Sequence, residues 1–500
     1  MDNKTIHCRS ALRTFHGEIL AEQDFIVPDI KPDIQKVLKL TAVPVLHQAD
    51  AGQGRLSVSG DLLLYLCYLP EEGTTARAME LRLPFSDVFD IGACDVCLPE
   101  VSVLRTACNL LNGRKVNVRV TLSVHCTLQS HQKVQLLCPE EEENLRILTK
   151  PFSYCETVSV ADRTVEFLEQ LELPAHSAPI RELLSVEPTV ILQEYQAINE
   201  RIAVTGVVRG ETLYLPDTDP CSVARMEHEL PFTEVLHADD LREGSYCHLS
   251  VLPNRFEVGL LEDSDGDACL LSLRFSFRLA ADACNQETCE TVADAFGLNT
   301  PVTLQTDTHR TVCTCQQEVL SQNIRQMLPA RGVLEVCSLT ATPRMTDCTV
   351  EQGAITHSGE LSVSALLLCE PDGGAESFYA TVPFSITQES GALSKEQVTA
   401  SPLCEHAGYT LQPDGGLELR ATLKLAVTTV CCEEHTLVTE LLPCEEATPK
   451  ESRMVIYFTQ EGDSLWNIAK RYGSCPKKIA ALNHLTEDDN LTPHVALLIP

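Results

Sequence analysis

The chain has 500 residues, 44% of them hydrophobic and 22% charged. This is ordinary globular composition, and the length exceeds what one hydrophobic core can organise, so roughly two to four domains are expected. With 38 basic residues against 71 acidic ones, the formal charge of −33 opposes nucleic-acid phosphate and anionic membrane surfaces, and no run approaches the roughly 18 consecutive apolar residues of a membrane-spanning helix.

At the N-terminus, Met1 to Arg9 holds no apolar stretch of the secretory kind, so a cytoplasmic location is expected. Further on, Pro28-Asp29-Ile30-Lys31-Pro32-Asp33-Ile34 leads into Gln35-Lys36-Val37-Leu38, a stretch that fits a short helix or an extended segment equally well. Ser59-Gly60-Asp61-Leu62 opens an apolar run, Leu62 to Leu69, of strand length. Glu80-Leu81-Arg82-Leu83-Pro84-Phe85 follows, and then Val116 to Leu122, in which apolar residues alternate with polar ones. Period-two alternation marks a strand with one face inward and one face wet.

The same order recurs twice. The second copy reads Pro179-Ile180-Arg181-Glu182-Leu183-Leu184, Thr205-Gly206-Val207-Val208, Glu229-Leu230-Pro231-Phe232 and the alternating Leu271 to Phe277. The third reads Asn323-Ile324-Arg325-Gln326-Met327-Leu328, Ser358-Gly359-Glu360-Leu361, Val382-Pro383-Phe384 and the alternating Leu417 to Leu423. Three Pro-Phe pairs in register, at 84, 231 and 383, mark an internal repeat of about 150 residues, a comfortable single-domain size. Turn signals at Asp50 to Gly54, Asp263 to Asp267 and Pro371 to Gly374 separate the strands. The predicted fold is mainly β: three β-sandwich or barrel-like domains over 1–145, 146–295 and 296–446, with the acidic run Glu140 to Glu143 as a solvated join between the first two.

The 23 cysteines read as small buried hydrophobes on strands. Cys94-Asp95-Val96-Cys97 is a lone CxxC, and neither Cys313-Thr314-Cys315 nor Cys431-Cys432 has a well-spaced partner pair, so neither a metal site nor a cofactor is expected. P-loop, G-x-G-x-x-G, H-E-x-x-H and G-x-S-x-G patterns do not occur. Asp263 to Asp267 has the look of a calcium loop, but its twelfth position is Arg274 where a bidentate Glu is required. No enzyme is expected.

After a polar linker at 447–453 the pattern changes. Met454 to Phe458 is a short strand. Gly462-Asp463-Ser464 is a turn that supplies a helix N-cap, and Leu465, Ile468, Ala469 and Tyr472 form one apolar helix face. Gly473 ends that helix. Pro476 opens a second one, which carries Ile479, Ala480 and Leu482 and closes at Asn483. Val495 to Pro500 is a last strand. Residues 454–500 are therefore predicted to be a small β-α-α-β domain.

Gly462-Asp463-Ser464-Leu465-Trp466, Ile468-Ala469, Tyr472-Gly473, Leu482-Asn483 and the terminal Leu498-Ile499-Pro500 resemble the LysM family. The resemblance implies binding of N-acetylglucosamine-containing glycan in a shallow groove. Its walls would be Gly462, Asp463, Ser464 and Leu465 on one side, and Asn490, Leu491, Thr492 and Pro493 on the other. The family's usual Pro-Gly turn is here Pro493-His494. Trp466, the single tryptophan, is either an anchor for a partner or packing beside Leu465. Lys470, Arg471, Lys477 and Lys478 form a basic cluster, either a solvated face or a docking patch for an acidic partner.

The segment Pro28 to Ile34 and the Ser-Gly-x-Leu strand after it are similar to the DUF3794 family. DUF3794 repeats followed by one LysM domain resemble the layout of SipL-like spore coat morphogenetic proteins of endospore-forming bacteria. That resemblance implies a non-enzymatic coat-assembly adaptor in the mother-cell cytoplasm, at the forespore surface, whose LysM domain binds a SpoIVA-like coat-basement protein. The alternative is a peptidoglycan-binding protein of the cell wall or spore surface.

Overall fold

A computed structural model describes residues 3–73, 75–140, 144–174, 177–218, 223–262, 268–298, 300–351, 353–369, 374–389, 398–443, 454–486 and 491–500. The turn at 263–267, most of the turn at 371–374, the linker 447–453, most of the acidic run at 140–143 and Asn490 fall outside the described residues. The fold is mainly β with a β-α-α-β unit at its C-terminal end, as the two periodicities predict.

The first copy holds β1 (Asn3–Ile26), β2 (Ile34–Gly52), β3 (Arg55–Pro70), β4 (Arg77–Asp90), β5 (Val96–Asn112) and β6 (Lys115–Leu137). The second holds β7 (Leu145–Val158), β8 (Arg163–Glu172), β9 (Ile180–Ile198), β10 (Arg201–Pro216), β11 (Ala224–His237), β12 (Tyr246–Leu261) and β13 (Leu270–Gly297). The third holds β14 (Val302–Leu328), β15 (Val333–Glu351), β16 (Ala354–Cys369), β17 (Gly374–Glu389), β18 (Val398–Leu411) and β19 (Leu417–Pro443). In each copy three strands form an antiparallel meander, β2-β3-β4, β9-β10-β11 or β15-β16-β17, while the first strand of the copy pairs with the last. Alternate residues of the two layers meet in a core. In the first copy Leu62, Leu64 and Leu66 of β3 pack with Val116, Val118, Val120 and Leu122 of β6. Both segments before the meander, Ile34 to Leu38 and Ile180 to Leu184, are extended. The third-copy segment Asn323 to Leu328 is also extended but lies at the end of β14; the third meander opens later, at Val333.

The repeated Gly and Pro-Phe have one structural cause. Gly60 pairs with Phe85, Gly206 with Phe232 and Gly359 with Phe384, each directly across the meander. A Cβ on these glycines would meet the phenylalanine Cζ at 2.9, 2.5 and 2.3 Å, so the ring occupies the space a side chain would need. The prolines beside them are tolerated because β4, β11 and β17 are meander edges, where a missing N–H breaks no second ladder.

The copies do not sit apart like beads. The run Leu62 to Tyr68 is buried on both faces: Leu62, Leu64, Leu66 and Tyr68 belong to the first core, Leu63 and Tyr65 to that of the second copy. This explains why it reads as continuous apolar sequence and not as alternation. Cys67 joins Leu38, Leu184, Leu213, Cys337 and Leu366 where all three copies meet. The Pro28 to Ile34 segment is pinned there too. Arg114 bridges Asp29 and Asp33 at 2.8 and 2.9 Å, and Glu182 of the second copy takes Lys31 at 2.5 Å and Arg77 at 3.0 Å.

A second triple junction lies along the long first and last strands of the copies, near the middle of β13, β14 and β19. Cys8 of β1 pairs with Glu156 of β7, so the first two copies share one sheet. Cys155, Tyr246, Cys284, Val312, Cys315 and Val430 pack beside it. At its centre Arg9 Nη2 lies 2.5 Å from Asp282 Oδ2, with side-chain exposures of 1% and 3%. Gln129 of β6 donates to the same carboxylate oxygen.

Candidate binding module at the C-terminus

The last unit consists of β20 (Val455–Phe458), α1 (Leu465–Tyr472), α2 (Pro476–Leu482) and β21 (Ala496–Ile499), with Val455 opposite Ile499. Local chemistry specifies each end. Ser464 Oγ accepts from Asn467 N at 3.2 Å, which caps α1. Gly473 closes the helix in the left-handed region at φ 56°, where a missing Cβ carries no penalty. Asn483 ties α2 to β21: its Nδ2 donates to Ile479 O and Leu498 O, and its Oδ1 accepts from Leu498 N, all at 2.8 Å. Leu465, Ile468, Ala469, Ile479 and Ala480 pack with Tyr457, Leu497 and Ile499 into a small core.

The two loops named from the sequence lie close together. Thr459, just beyond β20, donates through Oγ1 to Thr492 O at 2.6 Å and accepts from Val495 N at 2.9 Å. Gly462, Ser464, Thr492 and Pro493 are exposed, Asp463 and Leu491 are half-buried, and Leu465 is buried in the core with 3% exposure. Asp463 accepts from Gln460 N at 2.8 Å and from the Tyr457 hydroxyl at 2.7 Å. These bonds hold its carboxyl below the usual range, and the same carboxylate raises the Tyr457 hydroxyl. His494 adopts φ 67°, a conformation in which glycine is at ease and a side chain is strained. Replacing His494 by Gly is expected to raise the melting midpoint of this unit by an amount equivalent to about 0.5–1 kcal/mol, relief of strain exceeding the extra chain entropy of glycine. An unchanged or lower midpoint would show that the imidazole makes a compensating contact.

Trp466 faces the body. Its Nε1 donates to Asp294 Oδ2 of β13 at 2.8 Å, and its ring stands edge-on to Phe296 with centroids 5.0 Å apart. Lys470 Nζ lies 2.6 Å from the other Asp294 oxygen. The basic cluster is therefore divided: Lys470 is used against the body, Arg471 donates to the Tyr457 hydroxyl at 3.1 Å, and Lys477 and Lys478 are exposed on α2. Because Trp466 is the single tryptophan, its fluorescence reports this contact alone. In Asp294→Ala the emission is expected to shift to the red and acrylamide quenching to rise, as the indole loses its acceptor and gains water. Identical spectra before and after the substitution would mean that the contact does not persist in solution.

One feature on β20 escaped notice in the sequence. Tyr457 points inward with 9% exposure, while Ile456 and Phe458 point outward with 63% and 62% exposure. Met454 and Val495 nearby are 57% and 45% exposed. Strand alternation places Ile456 and Phe458 on the opposite face from Tyr457, and that signal was available; their large exposure was not legible from it.

Among the described residues the grouping nearest to a catalytic one is Cys313, His435 and Glu433. Cys313 Sγ lies 3.4 Å and Glu433 Oε2 3.7 Å from the same ring nitrogen, Nε2. A nucleophile–base–orienter relay needs the two partners on different nitrogens, so this arrangement is not a triad. No helix among the described residues is long and apolar enough to cross a membrane.

Residues 457–500 match the family model of the LysM domain. Residues 179–260, which span β9 to β12 of the second copy, match the family model described as SipL, SPOCS domain. The match falls on the second copy, whereas the resemblance drawn from the sequence was strongest in the first. A search of curated proteins and one of solved structures each returned no match. The chain is SipL-like in layout, a SPOCS domain with a LysM domain at the C-terminal end, and both matched domains are binding domains.

Proposed function

We propose that this SPOCS- and LysM-containing chain is a non-enzymatic spore coat assembly adaptor whose LysM domain docks onto a coat-basement morphogenetic protein of the SpoIVA type. The three copies, taken as units 1–145, 146–295 and 296–446, form its acidic body, and its place is the mother-cell cytoplasm at the forespore surface. The observation that carries the partner reading is the uncovered pair Ile456 and Phe458 on β20. Outward apolar side chains of this size are what a protein interface buries at its centre. Lys477 and Lys478 on α2 are exposed positive charges on a chain of net charge −33.

The test is affinity capture by the full chain, offered a purified coat-basement protein and, separately, soluble muropeptides. Ile456→Ser with Phe458→Ser is expected to lower partner capture by at least about tenfold, equivalent to some 1.4 kcal/mol, while β20 still pairs with β21. Lys477→Glu is expected to weaken capture more at low salt than at high salt. Leu465→Ala, in contrast, empties the small core and is expected to unfold the domain. A second reading, binding of N-acetylglucosamine-containing glycan, is favoured by the exposed loop residues Gly462, Ser464, Thr492 and Pro493, with Thr459 bonded to Thr492. Capture of muropeptides with no affinity for the coat protein would replace the adaptor reading with this one, and a fluorescent fusion that fails to ring the forespore would remove the proposed location.

A further inference from the structure

The second triple junction contains a constellation that neither matched domain accounts for. Cys155 of β7, Cys284 of β13 and Cys315 of β14 are each fully buried, and their three Sγ atoms all lie within 4.8 Å of one another. They converge from three strands and two copies, and the third contributor to the junction is Arg9 of the first copy, whose Nη1 lies 4.0 Å from Cys315 Sγ. We propose that Cys155, Cys284 and Cys315 bind a single thiophilic divalent cation, zinc in the first instance, that staples the second and third copies together at the centre of the body, beside Arg9 of the first.

The geometry suits a metal better than the two other uses of three cysteines. Zinc–thiolate bonds of about 2.3 Å place neighbouring sulfurs about 3.8 Å apart, so the present triangle needs to contract by no more than about 1 Å to close on an ion. A disulfide would require one pair to approach to about 2.05 Å and would leave the third sulfur without a partner. Simple space-filling is the remaining use. Counted from the first residue of the alternating stretch in the last strand of each copy (Val116, Leu271 and Leu417), Cys284 holds the place of Gln129 in the first copy and Val430 in the third. Both are larger than cysteine, so packing alone would favour a bulkier residue at Cys284, especially with two further small side chains facing it.

The surroundings match the chemistry of the bound state. Closing the site replaces three S–H groups by three metal–sulfur bonds and releases one proton per thiol, leaving a local charge of −1 on the zinc–trithiolate group. The Arg9 guanidinium is fixed beside Cys315 to oppose that charge, and it is itself oriented by Asp282, whose carboxylate Gln129 holds in turn. Donors that reach a ligand atom in this way set the orientation of metal ligands. All three sulfurs belong to buried residues, so loading would occur as the copies assemble, and three thiolates leave the fourth zinc position to a water or a further donor.

The full chain, purified under reducing conditions, is expected to carry close to one zinc by elemental analysis. X-ray absorption at the zinc edge is expected to show a sulfur-dominated shell at about 2.3 Å. Cobalt offered to the chelator-treated chain is expected to give a thiolate-to-cobalt charge-transfer band that saturates at a stoichiometry near one. Cys284→Ser is expected to lose most of the bound zinc, whereas Cys94→Ser with Cys97→Ser, a change in the lone CxxC, is expected to retain it. Wild-type protein incubated with zinc and desalted without retaining metal overturns the proposal. So does a nitrogen- or oxygen-dominated shell, or mass spectrometry that finds two of the three cysteines joined as a disulfide. The absorption measurement needs no variant, so a Cys284→Ser chain that fails to fold leaves the decision to the wild-type protein.

Discussion

Asp282→Ala is expected to destabilise the body by about 3–5 kcal/mol, read as a fall in the denaturant midpoint followed by far-ultraviolet circular dichroism. Arg9 cannot give up its proton inside a protein, so its charge is fixed and needs a counter-ion. Burial works against that charge, but Asp282 together with Cys284, Cys315 and Tyr246 outweighs it and keeps Arg9 protonated; burial also pushes the Asp282 carboxyl up while Arg9 pulls it down. Since a neutral Asp282 would leave a bare guanidinium in the core, the charged pair is the state that fits. Removing Asp282 strands the cation next to Tyr246, whose ring lies 5.7 Å from the guanidinium carbon. Part of that loss is expected to return in the double variant Arg9→Met with Asp282→Leu, because two apolar side chains need no partner. A single variant within about 0.5 kcal/mol of the native chain would mean that water or another group reaches Arg9. Because the pair joins β1 to β13, the expected damage is loss of association between copies and not failure of one strand to form.

Gly206→Ala is expected to cost about 1–3 kcal/mol, and Gly60→Ala and Gly359→Ala at least as much. In Gly206 the new methyl would sit 2.5 Å from Phe232 Cζ and 2.7 Å from Ile191 O; in Gly60 the nearest atom is Val45 O at 2.2 Å. A backbone carbonyl in a paired strand cannot move aside without breaking the ladder. The ring could rotate away only by leaving the core, where Phe232 is 8% exposed. Gly52→Ala is the control: a Cβ there meets nothing within 4 Å, and the gain in chain stiffness should leave stability unchanged or slightly improved. Equal effects at Gly52 and Gly206 in thermal melting would show that the loss comes from strand propensity and not from the ring.

The small C-terminal domain was the most legible part of the chain. Its helix starts, its caps at Ser464 and Gly473, its proline at the head of α2 and its buried face of Leu465, Ile468 and Ala469 all follow from contacts within a few residues. The body was legible in kind but not in arrangement. Alternation marked the strands, and the recurrence of Gly with Pro-Phe marked the copies, without indicating that the glycine lies under the phenylalanine. The segment Asn323 to Leu328 was matched to the wrong strand because short amphipathic stretches at the ends of β-strands look alike. Cys94 and Cys97, like Cys313 and Cys315, stood out through their spacing, while nothing local links Cys315 to Cys155 and Cys284, which it meets at the centre.

Sequence alone thus determined what is governed by short-range periodicity and hydrogen bonding: a mainly β body, and a small β-α-α-β module that matches LysM. Tertiary structure decided everything that depends on strands from different copies meeting. It turned Trp466 toward Asp294 across 172 positions, left Ile456 and Phe458 without cover, and brought Arg9 to Asp282 across 273. The physical reason is that alternation records which face of a strand is buried but not what buries it. That second fact depends on loop closures and packing over hundreds of residues, which no local pattern encodes.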